Sequence, residues 1–258
     1  MFRKFRILIL LLILATVGLN AWRTELRLTT WEHTVHVAVY PIAADDSPVT
    51  AQFIRDLNSD SLDEIAQWMQ GQTQQHGLNL LQPISLRVAP PLTERPPLPP
   101  YRPSAGDAIW WSLKMRWWAW QHDQIPGIKP QIRLFVLFHD PARQARVPHS
   151  VGLGKGQIGL IHAFASRGQS RQNAVVITHE LLHIFGASDK YDPGSLHPIY
   201  PQGYAEPERH PRLPQRWAEI MGGRTPITEN QAKIPDNLSE TVVGAETARE
   251  INWLRSTR

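Results

Sequence analysis

The 258-residue chain contains no cysteine. Disulfides, thiolate metal sites and the lipid-modified cysteine of a lipoprotein are thereby excluded, so an exported chain of this kind gets its stability from packing and from any bound metal. It also lacks blocks of like charge. Its 27 Lys and Arg oppose 23 Asp and Glu for a net charge of +4, and the basic residues are scattered rather than interleaved with aromatics, which argues against a nucleic-acid partner. No internal repeat is visible. The glycine-rich stretch 152–159 is not a phosphate loop, because its spacing is wrong and no Lys-Ser/Thr pair comes after it.

A long apolar run is missing too. Three of the first six residues, Arg3, Lys4 and Arg6, are basic and residues 7–19 are uncharged, but thirteen residues fall short of the roughly 20 that span a bilayer. The pattern is that of an export segment over residues 1–22. Two outcomes fit it: a cleavable signal peptide with Ala21 near the cleavage position, or an uncleaved anchor in the inner membrane with Trp22 at the interface. Either way the remainder is expected outside the cytoplasm. Residues 23–258 suffice for one domain with a real core.

What the sequence does contain is His179-Glu180-Leu181-Leu182-His183. On a helix, residues four apart share a face about 6 Å apart along the axis, so both imidazoles can reach one metal ion. A chain of this composition contains H-E-x-x-H by chance about 2 times in 100. The flanks, Ala174-Val175-Val176-Ile177 before and Ile184-Phe185 after, are apolar on nearly every face and describe a buried helix. Two histidines and a carboxylate there are costly unless paired or metal-bound. Zn2+ suits two neutral imidazoles and, with one more protein ligand, keeps a position for water. Glu180 would then serve as the catalytic base. Gly186 can end the helix in a left-handed conformation and return the chain under the metal, which makes Asp189 the candidate third ligand. Tyr191 is a candidate donor to the transition state.

The run from His179 to Asp189 resembles the extended zinc signature of metzincin-type metallopeptidases, in the variant with aspartate as third ligand found in snapalysin-like and immune-inhibitor-A-like members; Lys190-Tyr191-Asp192 is similar to the residues next in line in the latter. The resemblance covers 11 to 14 residues. It implies a methionine turn downstream, for which Met221 in Glu219-Ile220-Met221-Gly222-Gly223 is the match. It also implies that the strand just before the zinc helix, residues 158–165 with Ile158, Leu160 and His162, is the edge along which an extended peptide or protein substrate pairs.

Along the chain, period-two alternation predicts strands at 33–42 and 83–89, with Val35, Val37 and Val39 on one face, and a strongly apolar strand at 132–138. An amphipathic helix is expected at 57–76, capped by Ser59 or Ser61, and a last helix at 246–254. The proline-rich stretch 90–103 reads as a stiff connection. Residues 105–123 hold five tryptophans, and helical spacing aligns Ile109, Leu113, Trp117 and Trp120 in a stripe expected to pack on the sheet, with a carbohydrate or membrane contact as the alternative. His33, His36, His197 and His210 read as ordinary polar residues. The result is an α/β (α+β) fold: a mixed sheet backed by helices, an upper lobe at about 31–186, and an irregular lower lobe at about 187–258.

The expected function is that of an exported, membrane-anchored zinc metallopeptidase. Two alternatives stand beside it. One is a non-catalytic envelope protein in which a His-Glu-His cluster or a zinc ion only supports the fold. The other is a gluzincin-like peptidase with Glu206, Glu208 or Glu219 as third ligand.

Overall fold

The computed structural model describes residues 28, 30–100 and 104–254 together with positions 5–7, 11, 12, 16 and 19. The export segment expected over residues 1–22 therefore lies almost wholly outside the described residues. Among the described residues, no helix is long and apolar enough to cross a membrane.

The fold is mixed α/β. Strands β1 (Val35–Ala43), β2 (Ile84–Val88), β3 (Ile132–His139), β4 (Val151–Leu153) and β5 (Ile158–Phe164) form one sheet in the order β2-β1-β3-β5-β4. The first three pairings are parallel, and β4 runs antiparallel to β5. Alternation sorts the side chains. Val37 and Val39 of β1, with Leu134 and Val136 of β3 and Ile161 of β5, join one core cluster. Ala38, Tyr40, Phe135, Leu137 and Leu160 join the other. A parallel sheet covered on both faces is the expected outcome for strands this uniformly apolar.

Helices α1 (Pro48–Asp56), α2 (Asp63–Gln75) and α4 (Ser170–Phe185) contribute to the first cluster, and α3 (Ala105–Gln121) covers the second face. Helix α1 is absent from the sequence reading, although Ser47 caps it through Val49 N and Pro48 opens it, a recognisable start signal. The helix expected at 57–76 begins as a 3-10 turn, Ser59–Leu62, capped by Asn58 rather than by either serine.

The aromatic stripe of α3 is a clear correction. Ile109, Leu113, Trp117 and Trp120 face outward; Trp111, Met115 and Ala119 are buried against the sheet instead. Helix α3 is apolar on two opposite sides. The side with the small Ala119 approaches the sheet, where Trp118 meets Phe135 edge-on at 5.0 Å.

After α4 the chain makes only short elements: β6 (Ala218–Glu219) beside β9 (Thr241–Val242), β7 (Thr225–Pro226) beside β8 (Ala232–Lys233), and α5 (Ala245–Glu250). The expected irregular lobe is present, yet its core is not separate. Ile220, Met221, Leu238, Val243, Ala248, Ile251 and Trp253 join the cluster that includes Leu181 and Phe185 of α4.

Candidate metal centre

Helix α4 is nearly all buried, and His179 and His183 lie on its one accessible side. It ends where the sequence places a glycine. Gly186 adopts φ 109°, and its amide and that of Ala187 return to the carbonyls of His183 and Leu182. Only glycine takes that conformation without strain. The chain then folds back, and Asp189 Oδ1 comes to 3.1 Å from His179 Nε2 and 3.2 Å from His183 Nε2, while the two Nε2 atoms are 3.1 Å apart.

The other ring nitrogens fix the tautomers. His179 Nδ1 is 2.9 Å from the Ile220 carbonyl and His183 Nδ1 is 2.8 Å from the Ala187 carbonyl. A carbonyl has no hydrogen, so each Nδ1 donates, and in the neutral ring each Nε2 is left with a bare lone pair. Two lone pairs and a carboxylate oxygen converging within 3.2 Å repel unless a proton or a metal cation lies among them. The three edges are close to the roughly 3.3 Å between ligands of a tetrahedral ion with bonds of about 2.0 to 2.1 Å. Among the described residues, His179, His183 and Asp189 are the group whose ligand atoms meet this way. The residues fit a zinc ion.

The same three groups are coupled electrostatically. Burial works against the Asp189 carboxylate, but the two imidazoles beside it outweigh that and hold its pKa well below the ordinary range. Burial also works against a charged His183; the Asp189 carboxylate and the Ala187 carbonyl overcome it and raise the pKa. Glu180 is buried, which pushes its pKa up, partly offset by His179 and His183. Its carboxyl thus holds a proton more readily than a free glutamate does.

The three competing carboxylates stand elsewhere. Glu219 is fully buried and accepts from Gly222 N, Gly244 N and Thr247 Oγ1 at 2.8, 3.1 and 2.6 Å. Glu206 pairs with Arg209 and Arg216. Glu208 is exposed. Of the other histidines, His197 contacts the Pro198 and Thr228 carbonyls, and His33 and His210 are exposed.

Met221 is wholly buried in the tight turn Ile220–Gly222. That turn meets the site twice: the Ile220 carbonyl orients His179, and the Met221 carbonyl accepts from Lys190 N at 2.8 Å. Tyr191 stacks beside His179 with ring centroids 6.5 Å apart. Burial and the neighbouring Asp189 push its phenol pKa up to about 12, so it stays protonated and able to donate.

The support of Asp189 is invisible in the sequence. Lys190 is buried, and its Nζ donates to Glu250 Oε2 at 2.6 Å and to the Ser188 carbonyl at 3.0 Å. Glu250, from α5, also accepts from Ser188 N at 3.0 Å and Ser188 Oγ at 2.5 Å. Both neighbours of Asp189 are thus tied to one carboxylate about 60 residues onward. Nothing local in the sequence pairs them.

The expected substrate edge is overturned. Strand β5 lies inside the sheet, between β3 and β4, with Ile158 opposite Leu153 and Leu160 opposite Val151. Beyond β4, His162 N donates to Ser150 Oγ, and Asn173 binds both N and O of Phe164. The reason lies in the glycine-rich stretch: it doubles back through the 3-10 turn Gly154–Gly156 and left-handed Gln157, and so supplies a further strand. Gly152 permits this strand to cross α4, because a Cβ there would come within 3.0 Å of His183 Cβ and 3.2 Å of the Glu180 carbonyl. The edge is β4.

A cleft of about 290 Å³ opens beside the site, lined by His179, Glu180, Tyr191, His162 and, unforeseen from the sequence, Ser150 and the exposed His149. His162 Nδ1 is 2.8 Å from His139 Nε2.

Comparison with known proteins adds little. No protein family and no curated protein matches the sequence. Among solved structures, wild-type OgpA from Akkermansia muciniphila is similar over 83% of this chain and 58% of that one, at 15% identity and a TM-score of 0.35. The chain thus spans less than two thirds of that protein, and a likeness at that level says nothing about activity.

Proposed function

We propose that the protein is a zinc-dependent metallopeptidase of metzincin type, exported and held at the outer face of the inner membrane by its N-terminal segment. One observation carries this reading: two imidazole nitrogens and a carboxylate oxygen meet within 3.2 Å, with the buried Glu180 beside them in an open cleft. A site built only for structure has no use for a carboxylic acid of raised pKa next to an accessible metal.

His179, His183 and Asp189 would hold the ion, which supplies a Lewis acid and a water of lowered pKa. Glu180 accepts the proton of the attacking water and passes it to the departing amine. Tyr191, kept protonated, donates to the carbonyl oxygen as charge develops there. Substrate binds extended along β4, whose outer side has no strand partner among the described residues, and adds to the sheet by backbone hydrogen bonds.

The test is metal content and peptide hydrolysis of the purified protein beside Glu180→Gln. The variant should keep its zinc and lose about 10²- to 10⁴-fold in rate. Unchanged hydrolysis, or a wild-type protein that binds zinc and cleaves no peptide, refutes the reading; the second result leaves a structural metal site.

A further inference from the structure

Helix α3 is apolar on two sides, and the sheet covers one. At about 100° per residue, Ile109, Trp120, Leu113, Trp117 and Trp110 fall within an arc of about 100°, bordered by Arg116 on one side and Lys114 on the other. These five side chains are 64%, 69%, 51%, 61% and 61% exposed in that order. Arg116 and Lys114 are exposed as well. The opposite arc, with Trp111, Met115 and Ala119, is buried. Three outward indoles beside two outward aliphatic side chains leave an apolar patch that water solvates poorly.

We propose that this face docks on an anionic phospholipid surface. The three indoles and the side chains of Ile109 and Leu113 enter the boundary between headgroups and acyl chains, and Lys114 and Arg116 reach lipid phosphates from either border. Tryptophan prefers that boundary, and basic residues flanking an apolar face are drawn to anionic headgroups.

The arrangement fits lipid better than its competitors. A sugar platform presents an open aromatic face among hydrogen-bond acceptors. Here Trp117 and Trp120 lean on each other with centroids 5.1 Å apart, Lys114 Nζ sits 5.4 Å from the centre of the Trp110 ring, and Asp107, the acidic residue of this helix, is occupied in the cap with Ser104. A second copy meeting this face about a two-fold axis along or across the helix would set cation against cation, Lys114 and Arg116 facing each other or their own counterparts. An anionic surface instead complements both cations.

The inference goes beyond the peptidase reading and does not rest on it, because α3 and α4 contribute to opposite faces of the sheet. The natural absence of cysteine makes the test clean. A single cysteine is placed in the full chain as Leu113→Cys, and separately as Asn230→Cys and Leu12→Cys, each labelled with an environment-sensitive fluorophore. The chain is then reconstituted with phosphatidylcholine vesicles with and without phosphatidylglycerol, and with brominated lipid. On anionic vesicles the label at 113 should shift to shorter wavelength and be quenched by brominated lipid, more weakly in high salt, while the label at exposed position 230 stays unquenched. A label at 113 that stays unquenched on anionic vesicles while that at 12 is quenched overturns the proposal. So does a shift that grows with protein concentration without lipid, which assigns the face to a second copy, or one produced by a soluble oligosaccharide and not by vesicles. Trp110→Ser, Trp117→Ser and Trp120→Ser combined should abolish the signal at 113 without lowering the unfolding temperature; persistence of the signal in that variant also overturns it.

Discussion

Replacing Glu250 by alanine removes a carboxylate that never enters the metal cleft, yet it should weaken metal binding. Lys190 has 4% of its side chain exposed, and its ammonium lies 2.6 Å from Glu250 Oε2. Taking away one partner of a buried ion pair typically costs about 3 to 5 kcal/mol, because the other charge stays in place uncompensated. The Glu250 side chain is 25% exposed, so water can enter its space, and the lower end, about 3 kcal/mol, is expected. The same substitution frees Ser188 N and Oγ, so both neighbours of Asp189 lose their hold. Residues that orient a metal ligand from behind are worth about 10- to 100-fold in affinity. Zinc affinity from chelator competition should therefore fall by that factor, and denaturant unfolding of the metal-free protein should show the stability loss. Glu250→Gln keeps acceptors for Ser188 and should lose less than about tenfold. Adding Lys190→Met to Glu250→Ala removes the stranded ammonium and should restore at least about 1 kcal/mol of stability. A Glu250→Ala protein that is destabilised but binds zinc with wild-type affinity would refute the idea that this carboxylate positions Asp189.

Asp189→Ala should lower zinc affinity well over tenfold while Glu206→Ala leaves it nearly unchanged, measured by the same competition; the reverse pattern would move the third ligand to Glu206. The pH dependence of stability supplies a further check. Burial, with His139 adding to it, holds the His162 pKa down to about 4. The unfolded imidazole, at about 6.5, takes up protons before the folded one does, so stability falls as the pH is lowered from about 6.5 to 4. His162→Gln should lessen the slope of unfolding midpoints in that window, part of which His139, also held down by burial, retains, and an unchanged slope would show that His162 is free to protonate in the folded protein.

How much of the molecule is legible in its sequence differs from element to element. Strands β1, β2, β3 and β5 and helix α3 stand within a few residues of their expected places, because alternation of apolar side chains and the turn residues between them are local properties. Helix α1 escapes a reading by periodicity despite its Ser-Pro start, since its nine residues make only about two and a half turns of repeat. Strand β4 is hidden in a glycine-rich stretch whose side chains have almost no pattern to show. Its presence moves the sheet edge away from Ile158, Leu160 and His162.

The sequence by itself determined the converging trio of His179, His183 and Asp189. His179 and His183 are fixed by the helical repeat, and Gly186 dictates a reversal that brings Asp189 back within three residues; all of this is decided over an eleven-residue stretch by backbone geometry. Tertiary structure alone decided three other things: which of two apolar sides of α3 meets the sheet, which strand ends the sheet, and that Glu250 and the Ile220 carbonyl stand behind this trio. Each depends on which surfaces meet across tens of residues. Helical or strand periodicity reports that a face is apolar, never what will cover it.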